Sequence, residues 1–213
     1  MVPLLKSIIN KFAVWLPIVA VLLFVGLYVY AASIYPGGTE INPQSLGFDW
    51  QRNYWCDLMS GETYGGVQNP SCFYALSAMA IISVGLMAFF ILFANRCASS
   101  VQNRRIIKIC GSLAMIFAFL ISTRLHSLML LLASLFGSVG IFFVLLELFI
   151  QKRKQLFTLG IFLLFVLILN NVLYFSSTFL VSVPILQKLG FVLGLGWMAL
   201  ICLYMINPVQ RVA

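Results

Sequence analysis

Long apolar runs, separated by short polar clusters, set the pattern of this chain. A hydrocarbon core about 30 Å thick takes roughly 20 apolar residues in a helix that rises 1.5 Å per residue. The first run of that length covers residues 14–33 and stops at Tyr35-Pro36-Gly37-Gly38. The second, residues 70–94, follows Asn69. Asparagine is a favoured N-cap, and proline suits the first helical position, where its missing N–H would have had no partner. From residue 106 to residue 150 the chain is apolar except for Ser122-Thr123-Arg124-Leu125-His126-Ser127. That stretch is too long for one tilted helix and predicts two, 106–123 and 128–150, joined by a tight turn. Spans at 156–176 and 184–206 complete the set. The pattern predicts an all-α integral membrane protein: a single six-helix bundle over residues 1–213 with one long loop, 34–69.

Composition narrows the class. Of the 213 residues 62% are apolar and only 8% charged, against roughly 25% charged in a soluble domain. So few charges cannot cover a surface in water, which excludes a soluble enzyme, a nucleic-acid binder and a secreted disulfide scaffold. The net charge of +8 reflects basic residues at the ends of apolar spans rather than a nucleic-acid footprint. With the N-terminus in the cytoplasm, Lys6, Lys11, Arg96, Arg104, Arg105, Lys108, Lys152, Arg153, Lys154 and Arg211 fall inside. Arg52, Arg124 and Lys188 fall outside. This ten-to-three bias predicts that both termini are cytoplasmic, in the cell membrane. The alternative, a cleaved signal peptide ending at Ala31-Ala32-Ser33, is disfavoured because the first apolar run exceeds the usual 7–15 residues of such segments.

The loop departs from the apolar background. Phe48, Trp50, Tyr54, Trp55, Leu58 and Met59 recur at helical spacing with Asp49, Arg52, Asn53 and Asp57 between them. This spacing predicts a short amphipathic helix, Phe48 to Met59, at the membrane surface, where Trp and Tyr are favoured. Cys56 and Cys72 share that side, and a disulfide between them is one option in an oxidising compartment.

Ionisable groups inside spans are costly and point to function by default. Arg124 and His126 lie at the turn between spans three and four. Asn170 and Asn171, then Tyr174, Ser176, Ser177 and Thr178, end span five, and Gln187 and Lys188 open span six. All share one membrane face with Asp57, so Arg52, Asp57, Asn69, Arg124, His126, Asn170, Asn171 and Lys188 are the candidate ligand-binding residues. Each also has a structural reading, as a cap, a lipid-facing anchor or a helix-to-helix bond. Glu147 is expected to pair with Lys108, Lys152 or Arg153 at the opposite end. Gly137, Gly140, Gly194 and Gly196 are expected to allow close helix packing.

One histidine and scattered cysteines do not make a zinc site, and no nucleophile elbow, phosphate loop or CxxC pair is present. No metal and no cofactor are expected. The leading expectation is a protein that binds or senses a membrane lipid or small amphiphile, with Arg124 and Lys188 meeting an anionic headgroup and Asp57 orienting them. The alternatives are a metal-independent lipid enzyme with Asp57 and His126 as its acid–base pair, and a small transporter. The apolar inner halves of spans one, two and six argue against the transporter.

Trp55-Cys56-Asp57-Leu58, Asn69, Leu125-His126-Ser127 and Gln187-Lys188-Leu189-Gly190 leading to Trp197 resemble the pattern of the six-span prokaryotic membrane proteins known as domain of unknown function 998. They are more distantly similar to the Frag/DRAM/Sfk group. Gln187-Lys188 departs from the Glu-Arg expected there. The resemblance implies the six-span fold and an outward polar pocket, and no reaction.

Overall fold

The computed structural model describes residues 12–176 and 182–206. Within them lie six helices long and apolar enough to cross a membrane, as expected for a multi-pass membrane protein. They are α1 (Trp15–Ser33), α2 (Ser71–Cys97), α3 (Val101–Phe119), α4 (His126–Ile150), α5 (Lys154–Phe175) and α6 (Val183–Ile206). Successive helices pack side by side, and α6 closes the ring against α1. Lys6, Lys11, Arg211, Ser177 and Thr178, named above, lie outside the described residues.

Local chemistry sets the helix ends. The Asn69 side chain accepts the Ser71 N–H at 3.0 Å, the expected cap. The α3 helix starts five residues before the predicted run, because the Ser100 hydroxyl accepts the Asn103 N–H at 3.0 Å and holds the polar first turn helical. A 3-10 turn, Leu120–Ser122, ends this span. At the α4–α5 junction Lys152 takes φ 56°, the Arg153 N–H donates to Leu148 O and the Lys152 N–H donates to Phe149 O, both at 2.9 Å. These bonds form the left-handed helix stop usually filled by glycine.

The core is aromatic and tightly interlocked. Phe24, Tyr28, Phe89, Phe93, Leu145, Ile201 and Met205 are buried, while Leu22, Phe73, Phe165 and Val192 stay exposed on the ring's outer face, as suits helices bathed in lipid. The tightest helix-to-helix contacts at glycine occur at positions the sequence did not single out. A Cβ at Gly85 would lie 2.2 Å from Ala20 Cβ, and one at Gly111 would lie 2.2 Å from Phe90 Cγ. Of the four glycines expected to allow close packing, Gly140 does so, with Gly111 N at 3.4 Å from its Cβ position, whereas Gly196 faces open space.

The end of the bundle away from the loop is closed by a hydrogen-bonded clamp. Glu147 is fully buried and accepts from Ser99 N–H (2.9 Å), the Ser99 hydroxyl (2.9 Å) and the Asn103 amide (2.7 Å). The expected partners Lys108, Lys152 and Arg153 form no ion pair with it among the described residues; neutral donors on the α2–α3 turn and in the first turn of α3 hold it instead. Beside it the Gln151 amide donates to Cys97 O at 2.7 Å, and the Tyr204 hydroxyl donates to Gln151 Oε1 at 3.0 Å. Arg153 lies over the Tyr204 ring, 4.9 Å from its centroid.

Candidate functional site: a lidded chamber

The loop between α1 and α2 is ordered by its own polar side chains. The expected helix from Phe48 to Met59 is reduced to a five-residue 3-10 turn, Trp55–Met59. The cause is local capture of backbone donors, which competes with helix formation. Asp49 Oδ1 accepts the N–H of Gln51 (2.8 Å) and of Arg52 (3.2 Å), and Asn53 Oδ1 accepts the Asp49 N–H (2.9 Å). Gly37 and Gly38 hold φ of 133° and 95°. A Cβ on Gly37 would lie 2.1 Å from Ser45 O, so this crossing needs glycine.

Two buried side chains pin the loop. Asn69 donates to the carbonyls of Ser60 (2.8 Å), Asp57 and Leu58 (both 3.3 Å), while its own oxygen also accepts the Ser71 hydroxyl. Asp57 accepts from the Asn53 amide (2.9 Å), the Tyr54 N–H (2.8 Å) and, more weakly, the Tyr64 hydroxyl (3.4 Å). From α6, Gln187 Oε1 accepts the Trp55 N–H at 3.0 Å. Lys188 donates to Asn53 O and to Pro184 O, and its ammonium lies 5.6 Å from the Phe48 ring centroid.

Beneath this lid lie two neighbouring cavities. The deeper one, about 290 Å³, is drawn from all six helices and the lid, and its walls are mostly apolar. Leu163, Leu167, Asn170, Asn171 and Tyr174 form its α5 wall, a stripe at helical spacing. The outer one, about 690 Å³, is lined by Glu40, Asp57 and Glu62 with Tyr35, Tyr54, Tyr64 and Tyr174. Tyr54, Cys56, His126 and Tyr174 belong to both walls. The shared residues place the outer cavity, the vestibule, directly beside the chamber.

Burial controls the protonation of the loop. It pushes the Asp57 carboxyl above its ordinary range, although the Asn53, Tyr54 and Tyr64 donors pull the other way. Burial, then the neighbouring Asp57 charge, pushes the Cys56 thiol up to about 12. Tyr54 also rises to about 12, from burial and the charge of Glu40. Cys56 is therefore no thiolate nucleophile at neutral pH. Cys56 and Cys72 are both free thiols, and Cys72 donates to Met59 O at 3.1 Å rather than bonding to Cys56.

The predicted site residues divide into three groups. Asp57, His126, Asn170 and Asn171 line the cavities. Asn69 and Lys188 hold the lid in place instead. Arg52 is exposed and lies 3.9 Å from Asp49, and Arg124 is exposed and belongs to neither wall. No hydrogen bond joins Asp57 to His126 among the described residues. Asn171 accepts the Ser134 hydroxyl at 2.8 Å and donates to Leu167 O at 2.8 Å, a bond between α4 and α5. Sequence reasoning missed Glu40, Glu62, Tyr64 and the Trp55 side chain, and passed over Gln187 as a site residue. The acidic bias of residues 40–62 was the available signal.

No family model, no curated protein and no solved structure matches the chain.

Proposed function

We propose that this protein binds or senses an amphiphilic molecule, a lipid or a small amphiphile, at the loop-bearing end of the bundle. The observation that carries the proposal is a mostly apolar chamber lying directly beside a polar vestibule, with Tyr54, Cys56, His126 and Tyr174 in the walls of both. An apolar body fits the first and a polar end the second. The ten-to-three distribution of basic residues supports a lid on the outer membrane face and cytoplasmic termini. The resemblance to the six-span family of domain of unknown function 998 stands beside this proposal. Binding is favoured over acid–base catalysis because both oxygens of Asp57 are engaged by Asn53, Tyr54 and Tyr64.

An anionic headgroup is not part of the proposal. Arg124 is outside both walls, and Lys188 is spent on the loop carbonyl of Asn53 and the α6 carbonyl of Pro184. The test is native mass spectrometry of the full chain released from nanodiscs. Leu130, on the chamber wall, is replaced by the larger tryptophan. Wild type is expected to carry a copurified amphiphile that Leu130→Trp loses while its melting temperature is kept. Equal retention in both proteins overturns the proposal.

A further inference from the structure

Resting on the amphiphile reading, we infer that the ligand is a single-chain amphiphile with an ammonium headgroup, held in the vestibule by tyrosine rings and carboxylates. Among the described residues the vestibule wall carries Glu40, Asp57 and Glu62 and no Lys or Arg, with His126 its one basic side chain. No hydrogen bond or ion pair among the described residues engages the Glu40 or Glu62 carboxylate. Asp57 adds an independent sign. It is only 8% exposed, yet its Oδ1 receives nothing but the Tyr64 hydroxyl, at 3.4 Å. A carboxylate oxygen has room for more than one donor, so the most withdrawn anion of this wall is left short of a partner.

Carboxylates alone would draw any dissolved cation; the rings and the chamber narrow the choice. Tyr54 and Tyr174 stand nearly perpendicular, at 87° with 6.3 Å between centroids, and Tyr64 belongs to the same wall. A tyrosine face attracts an ammonium through its ring quadrupole, and walls of several rings suit alkylated ammonium groups. The negative charge is felt at these rings. After burial, the charges of Asp57 and Glu40 push the Tyr64 hydroxyl up, and Glu40 does the same to Tyr54. A small inorganic cation gains nothing from an apolar space nearby, whereas an alkyl chain does. Tyr54 and Tyr174 line the chamber as well, so a headgroup resting on them lies next to the space its chain would fill. At about 290 Å³ the chamber is at the small end of ligand pockets, which run from about 300 to 1,000 Å³. It takes one chain rather than two.

The full chain is placed in nanodiscs of an uncharged digalactosyl lipid, with empty discs as the partition control. It is titrated with decyltrimethylammonium, 1-decanol and decyl sulfate. The ammonium is expected to saturate and to bind about tenfold more tightly than either of the others. In Glu40→Gln/Glu62→Gln, and separately in Asp57→Asn, its affinity relative to decanol should fall about fivefold. Both variants are first shown to be folded at the assay temperature. Decanol or decyl sulfate binding as tightly as the ammonium overturns the inference while leaving the amphiphile reading intact. An affinity ratio unchanged in both variants overturns it in the same way. If none of the three saturates, the amphiphile reading falls with it.

Discussion

Asp57 and Glu147 are carboxylates withdrawn from water at opposite ends of one bundle, and their surroundings differ in one respect. Glu147, with 0% of its surface exposed, receives three donors at 2.7–2.9 Å and lines neither cavity. Asp57, at 8%, receives two good donors and one long one at 3.4 Å, and its remaining side faces the vestibule. A buried acid whose hydrogen-bonding capacity is filled by protein ties elements together. One left with a weak contact on an open side can respond to what arrives there. Burial alone does not distinguish the two; the donor count and the neighbouring space do.

The strongest challenge to this contrast is Glu147→Ala. It strands the Ser99 and Asn103 donors and separates the α2–α3 turn from α4, so unfolding in detergent should become easier by about 3 kcal/mol or more. A loss below about 1 kcal/mol would show that the clamp is not a clamp. Asn69→Ala should cost about 2 kcal/mol, with a different distribution. Hydrogen exchange should speed up across residues 34–69 and hardly change at Ser99 and Asn103. Uniform acceleration would mean that the two ends are not independent. The smallest effect is a pH slope. Because burial raises the folded Asp57 carboxyl above 3.8, the native state keeps a proton that the unfolded chain has already released. Stability from this group is therefore full below 3.8 and falls as pH rises towards the raised value. The stability of wild type minus that of Asp57→Asn should decline over that window, and a flat difference would remove burial as the controlling factor.

The spans were legible because hydrophobic length is a property of the chain itself. All six were found, with ends a few residues off where capping side chains extended a helix into polar sequence, as Ser100 does for α3. The loop was not legible in the same way. The spacing of Phe48, Tyr54, Trp55 and Met59 fits a helix, but Asp49, Asn53 and Asp57 are short side chains that take up the backbone N–H groups nearby. The site was half legible. Polar residues sharing one membrane face could be picked out, yet hydropathy does not tell which way a side chain turns. Arg124 and Asn170 therefore read alike from the sequence, although one faces away from the chamber and the other lines it. Glu147 misled for a related reason. Lys152 and Arg153, nearby in sequence, and Lys108 on α3 suggested an ion pair, while its partners Ser99 and Asn103 lie more than 40 residues upstream.

Trp55 has a practical use that follows from its place. Its ring packs against Tyr28 and Phe191, with centroids 4.5 and 5.7 Å away, and it forms part of the chamber wall. Of the four tryptophans, only Trp55 and Trp197 border that space, and the Trp197 indole is already bonded to Leu156 O at 2.7 Å. Emission from Trp55 is thus an intrinsic optical gauge of occupancy, and a background in which Trp15, Trp50 and Trp197 are each replaced by Phe would isolate its signal without attaching any dye.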